Sequence, residues 1–280
     1  MIERSVSSLS MTGFHRIHYT EWGRADNDRT VICVHGLTRN GRDFDALATE
    51  LADHYRVLCP DVVGRGHSDW LPDKTGYTYP QYCTDMTALI ARTGAEQIDW
   101  VGTSMGGLIG MVLAAQPQSP IRRLVINDIG PFIGKAALER IASYVGQSDD
   151  FDSLDELERH LRIIAAPFGP LTDDQWHHLA VHSARQRDDG RWVYSYDPGI
   201  RQAFATDLND IDMWPVWEAI QCPVLVLRGE QSDILARADA EAMTRRGPKA
   251  ELVEFSGVGH APALMDRQQI AVIRDWLLAD

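Results

Sequence analysis

No stretch of this 280-residue sequence approaches the ~20 consecutive uncharged apolar residues that a membrane-spanning helix needs, so none is expected. The opening MIERSVSSLSMTG has no apolar run of the kind that marks a secretory leader, which points to a cytoplasmic protein. Basic blocks are missing too. The chain carries 27 Lys and Arg against 40 Asp and Glu, a net charge of −13. That balance repels nucleic acid and anionic lipid, so neither is expected as a partner. Only four cysteines occur, Cys33, Cys59, Cys83 and Cys222, with no C-x-x-C pair. Three of them lie in or beside apolar runs, which fits reduced buried thiols better than a disulfide framework or a zinc site. There are no internal repeats or low-complexity tracts.

What is present is a chain 44% hydrophobic, enough for one large core. Short runs apolar on both faces, at 31–36, 56–63, 98–104, 123–128, 223–230 and 251–257, read as strands of a parallel sheet buried between helices. Helical patterns at 43–52, 80–93, 105–116, 235–246 and 266–278 alternate with them. The result is a doubly wound α/β sheet. The alternating FHRIHYTEWG segment near the start suits an antiparallel edge strand or hairpin. The alternation breaks over 132–213, which is helical in character and carries two capping-box signals, S-L-D-E at 153–156 and T-D-D-Q at 172–175. The expected organisation is a core of 1–131 and 214–280, with 132–213 inserted as a helical cap.

Gly102-Thr103-Ser104-Met105-Gly106 is a G-x-S-x-G sequence between an apolar strand and a small-residue helix. A serine on such a strand-to-helix turn is strained, and the chain passes so close on both sides that only glycine fits two residues away. The turn lifts the hydroxyl to a helix N-terminus, where N–H groups favour developing negative charge. Ser104 is therefore the expected nucleophile.

A serine hydroxyl needs a base. Of ten histidines, His260 stands in FSGVGHAP, after the last strand, at the sheet edge where Ser104 should lie. His178 and His182 have i, i+4 spacing, but no third ligand is apparent and no metal is expected there. The base in turn needs an acid. Asp233, in the loop after PVLVLRGE, is the expected one, with Asp128 at the end of VIND and then Glu230 as rivals. The backbone N–H groups of Met105 and Leu37 are the expected oxyanion donors. His35, beside Leu37, is expected to support that loop by hydrogen bonding.

Phe132, Ile133, Phe168, Trp192, Tyr194 and Tyr196 in the cap, with Ile234, Leu37 and Met105 below, are candidate walls of an apolar substrate pocket. Each could equally belong to the core of the cap. No basic cap residue is evident, so uncharged acyl chains of short to medium length are the expected preference.

HGLTRN (35–40), DVVGRGHSD (61–69), GTSMGG (102–107), LRGEQSD (227–233) and GVGHAP (257–262) occur in an order and spacing that resemble the capped α/β-hydrolases of the bacterial carboxylesterase type. The resemblance spans nearly the whole chain. It implies the α/β-hydrolase fold and hydrolysis of a small-molecule carboxylic ester through an acyl-enzyme, with no cofactor. The HGLTRN and DVVGRGHSDW stretches also resemble esterases of which some cleave aliphatic polyesters. Two other readings share the pattern. Carbon–carbon bond hydrolases of meta-cleavage pathways carry the same GxSMGG, and a hydrolase-like ligand-binding protein could use the cap as a gate without turnover. The sequence sets no oligomeric state.

Overall fold

The computed structural model describes residues 1–147, 150–204 and 208–279. Strands β1 (Ile2–Ser10) and β2 (Gly13–Trp22) form an antiparallel hairpin, paired from Ile2 with Glu21 to Ser10 with Gly13. The sequence pattern marks β2 but not β1, whose IERSVSSLS is mostly polar and mostly exposed. Pairing with β2, not burial, makes it a strand. β3 (Thr30–Val34), helix α1 (Asp45–Leu51), β4 (Arg56–Pro60), α2 (Tyr79–Thr93), β5 (Ile98–Thr103), α3 (Met105–Ala114) and β6 (Ile121–Asn127) follow within a residue or a few of the expected ranges.

Then comes the insertion. β7 (Phe132–Ile133), α4 (Lys135–Tyr144), α5 (Leu154–Ile164), α6 (Asp173–Ser183), the hairpin β8 (Ala184–Gln186) and β9 (Trp192–Tyr194), and β10 (Ile211–Asp212) lie between β6 and the short α7 (Trp214–Glu218). β7 pairs antiparallel with β10, Phe132 with Asp212, so the two ends of the 132–213 segment are clasped together. Thr172 and Gln175 make both arms of a capping box on α6. Ser153 makes only one on α5, because Glu156 reaches back to Asp152 N instead. The chain closes with β11 (Val224–Gly229), α8 (Arg237–Met243), β12 (Glu251–Phe255) and α9 (Arg267–Leu278).

The eight-stranded sheet runs β1-β2-β4-β3-β5-β6-β11-β12, parallel except at the β1-β2 and β2-β4 pairs. Side chains alternate across it as the pleat requires. In β3, Ile32 and Val34 enter the core under α2, α3, α7 and α8, while Val31 and Cys33 enter the core under α1 and α9. Both faces are thus covered, which is why the central strand sequences are mostly apolar. All four cysteines are free thiols. No helix among the described residues is long and apolar enough to cross a membrane.

Candidate active site

Ser104 sits between β5 and α3 with φ 51° and ψ −113°, a left-handed conformation costly for a residue with a Cβ. Its N–H donates to Asn127 O at 2.9 Å and its carbonyl accepts Leu108 N–H at 3.0 Å, so the strained residue is tied at both ends. The glycines are obligatory. A Cβ on Gly106 would stand 2.0 Å from Val34 O, and one on Gly102 2.3 Å from Gly106 C and O. Trp100, fully buried, donates its indole N–H to Gly106 O at 3.0 Å and pins the first turn of α3.

His260 reaches the same point from the loop after β12. That loop is held by Gln231 N–H to Val258 O (2.8 Å), Gly259 N–H to Pro167 O (2.7 Å) and Asn127 Nδ2 to Pro262 O (2.8 Å). His260 Nε2 lies 3.0 Å from Ser104 Oγ, and Nδ1 lies 2.8 Å from Asp128 Oδ2.

The partner of His260 is therefore Asp128, and the expectation of Asp233 is corrected. Asp128, fully buried, follows β6 with φ 59°. Its N–H bonds Leu227 O of β11, and its Oδ1 accepts Gly229 N–H, both at 2.8 Å. The left-handed bend and these two anchors aim Oδ2 at the imidazole. Asp233 lies elsewhere, more than half exposed and paired with Arg140 at 2.8 Å. Glu230 is exposed and accepts Gly257 N–H.

After β3 the chain turns back at Gly36–Arg39, with Arg39 N–H donating to Gly36 O at 3.1 Å. This turn presents Leu37. Neither Leu37 N nor Met105 N has a hydrogen-bond partner among the described residues. His35 stands behind the turn, fully buried, its Nδ1–H donating to Gly36 O (2.7 Å) and its Nε2 accepting Val62 N–H (2.9 Å). Burial lowers its pKa to about 4, so it is neutral, as a supporting hydrogen-bond residue should be.

Sequence reasoning passed over two arginines. Arg65, fully buried, donates from Nε to Leu37 O (2.8 Å), from Nη1 to Val63 O (2.7 Å) and Tyr82 OH (3.1 Å), and from Nη2 to Met105 Sδ (3.5 Å). No carboxylate pairs with it among the described residues. Arg39 is the second, nearly buried and forked onto Asp43. The GRGHSD stretch signalled a loop, but nothing local showed a guanidinium turned inward.

The expected pocket residues divide. Phe168 shares a cavity wall with Arg39, Thr103 and Ala261, next to both Ser104 and His260 along the chain. Trp192 packs within the insertion's own core. Ile133, Tyr196 and Ile234 are buried in the main core, and Phe132 lies in the β7 clasp. Tyr194 contacts both cores, and its OH meets His160 Nδ1 at 2.9 Å. A broad open depression lies at the opposite edge of the strands, between Arg29, Arg56, Gln97 and Arg122. It contains no member of the Ser104–His260–Asp128 chain.

His178 and His182 do gain a third neighbour. The potential ligand atoms of Asp45, His178 and His182 lie within 4.8 Å of one another. Arg42 already clasps Asp45 through Nε and Nη2 and stands 3.4 Å from His182 Nδ1, so a guanidinium fills the cationic position there.

The family model for the alpha/beta hydrolase fold matches residues 29–265. The chain belongs to the α/β-hydrolase family. It is 47% identical to a 3-hydroxybutyrate-oligomer hydrolase of Cupriavidus necator, over 95% of this chain and 94% of that one. It is 29% identical to an esterase of Mycobacterium tuberculosis, over 81% of this chain and 76% of its relative. Among solved structures, an alpha/beta hydrolase from Novosphingobium aromaticivorans superposes with a TM-score of 0.87 at 39% identity, covering 98% of both chains. This α/β-hydrolase is an ester hydrolase, as the sequence motifs led one to expect.

Proposed function

We propose that this chain is a serine esterase that cleaves short oligomers of hydroxy acids through an acyl-enzyme. The observation that carries the reading is the unbroken hydrogen-bond chain from Ser104 Oγ through His260 to Asp128. His260 Nε2 takes the serine proton as Oγ attacks the ester carbonyl. Asp128 Oδ2 accepts Nδ1–H, holds that tautomer and stabilises the imidazolium. The Leu37 and Met105 N–H groups receive the oxyanion, where loss of one donor typically costs ~3 kcal/mol. The alcohol leaves with the proton from His260, and water repeats the sequence on the acyl-enzyme.

The choice of substrate rests on likeness. The relative sharing 47% of its residues is a hydrolase of 3-hydroxybutyrate oligomers. The 132–213 segment, tied to the loop after β4 by Gly66 N–H to Ser195 O and Asp197 N–H to Gly64 O, acts as a cap in this reading.

Purified protein should be assayed against 3-hydroxybutyrate dimer and trimer, p-nitrophenyl butyrate and palmitate, and a meta-cleavage diketone acid. Cleavage of the oligomers and of butyrate is expected, and Ser104→Ala should abolish both. Efficient cleavage of the diketone acid without ester turnover would make this a carbon–carbon hydrolase. Tight binding of ester without turnover would make it a binding protein.

A further inference from the structure

We propose that Arg39 is a substrate-specificity residue: it donates a hydrogen bond to an sp² oxygen on the repeat unit next to the scissile ester. This rests on the hydroxy-ester reading above and identifies a group that would select for it.

Arg39 closes the turn that presents Leu37. The point that a Cβ on Gly36 would occupy lies 3.7 Å from Ser104 Cβ and 3.9 Å from Arg39 Cγ, so the two side chains flank Gly36. Arg39 helps to wall a small cavity of about 30 Å³ with Asp43, Thr103, Phe168, Ala261 and Pro262, and its central guanidinium carbon stands 6.0 Å from the Phe168 ring centre.

Arg39 Nε and Nη2 donate to the two oxygens of Asp43 at 2.8 and 2.6 Å. That bidentate grip holds one edge of the fork rigid. Nη1 has no partner among the described residues, although the side chain is only 11% exposed. Nη1 is not cut off from solvent, so an incoming acceptor can reach it. A substrate acceptor would complete the set.

The chemistry of the substrate supplies such an acceptor. In a β-hydroxy-acid oligomer, every internal ester has a further carbonyl a few bonds away, and the terminal unit ends in a carboxylate. A plain butyrate ester has neither. Arg39, with its charge balanced by Asp43, can serve either oxygen. The expected preference for uncharged acyl chains, drawn from the absence of a basic cap residue, leaves this arginine of the β3 turn out of account.

The test compares kcat/KM for the parent, Arg39→Gln and Arg39→Gln with Asp43→Asn. The substrates are 3-hydroxybutyrate dimer as the free acid, its methyl ester and p-nitrophenyl butyrate. The double variant removes both charges, so a folding loss from a stranded Asp43 is separated from a substrate effect, and thermal melts are read alongside. The dimer-to-butyrate ratio is expected to fall by about tenfold or more in both variants, the worth of one charge-assisted hydrogen bond. A fall for the free acid alone assigns the acceptor as the carboxylate, and a fall for both dimers assigns it as the carbonyl. An equal loss on all three esters, or no loss, overturns the proposal and leaves Arg39 a residue that pins the turn. A parent that cleaves butyrate but neither dimer overturns the hydroxy-ester reading and the role of Arg39 with it.

Discussion

Asp128 and His260, 132 residues apart in sequence, meet through a 2.8 Å contact between a fully buried carboxylate and a partly buried imidazole. The second carboxylate oxygen is bound to the Gly229 N–H, so the group has no freedom to turn away. Asp128→Asn should lower kcat by about three to four orders of magnitude, through loss of the tautomer that Ser104 needs. Asp233→Asn removes only an exposed pair with Arg140, worth less than about 1 kcal/mol, and should leave turnover near that of the parent. Steady-state kinetics on both variants decide the matter, and a reversed ranking would sink the assignment of the acid.

Arg65 touches both Leu37, through its carbonyl, and Met105, through Sδ, the two residues whose N–H groups are proposed to receive the oxyanion. Arg65→Met should reduce kcat by about tenfold or more with little change in KM, since the donors matter most when the oxyanion forms. Affinity for an arylboronic acid, which mimics that state, should fall in parallel, and Arg65→Lys should recover part of it. A lower melting temperature with unchanged kcat in the folded fraction would mean that Arg65 serves the fold alone.

The serine turn has no room for a methyl group. Gly106→Ala would set a Cβ 2.0 Å from Val34 O and should cost more than about 3 kcal/mol along with activity. Gly94, with φ 72° and open space around it, is the control. There Ala should cost about 1 kcal/mol from backbone strain and leave the kinetics alone. Melts and turnover measured together check both.

His15 and Asp85, buried between the hairpin and α2, meet at 2.9 Å. Burial opposes charge on His15, but the Asp85 carboxylate outweighs it and raises the pKa above 6.5. A raised histidine contributes its stability fully below the unfolded value and loses it as pH climbs through the folded one. The melting temperature of the parent should thus exceed that of His15→Gln by most near pH ~6, and the gap should narrow toward pH ~8.5. A gap that stays constant across that range would remove the pair from the pH dependence of stability.

Much of this protein was legible in one dimension because its signals are local. Apolar runs with β-branched residues mark β3 to β6 and β11, since a strand buried on both faces has few polar positions to spare. The serine turn was legible for the same reason: Gly102 and Gly106 are demanded by backbone atoms within a few residues of Ser104 or by the adjacent strand. His260 could be placed because a loop after the last strand must emerge at the carboxyl edge. β1 was not legible, since its polar residues are ordered by the partner strand rather than by a core.

The tertiary structure alone chose among equals. Asp128 and Asp233 both follow strands that end at the same edge, and β6 and β11 are neighbours in the sheet. Which carboxylate reaches His260 depends on the left-handed bend at Asp128 and on anchors from Leu227 and Gly229, a hundred residues further along the chain. Arg39 and Arg65 are likewise ordinary loop arginines by composition. Only the packing of the β3 turn, the α2 tyrosines and the inserted segment around them turned their guanidinium groups inward. Strand periodicity and glycine spacing are matters of local sterics, which the sequence by itself determines. The direction of a buried charge is set by whatever desolvates and neutralises it, and those groups come together only when the sheet closes.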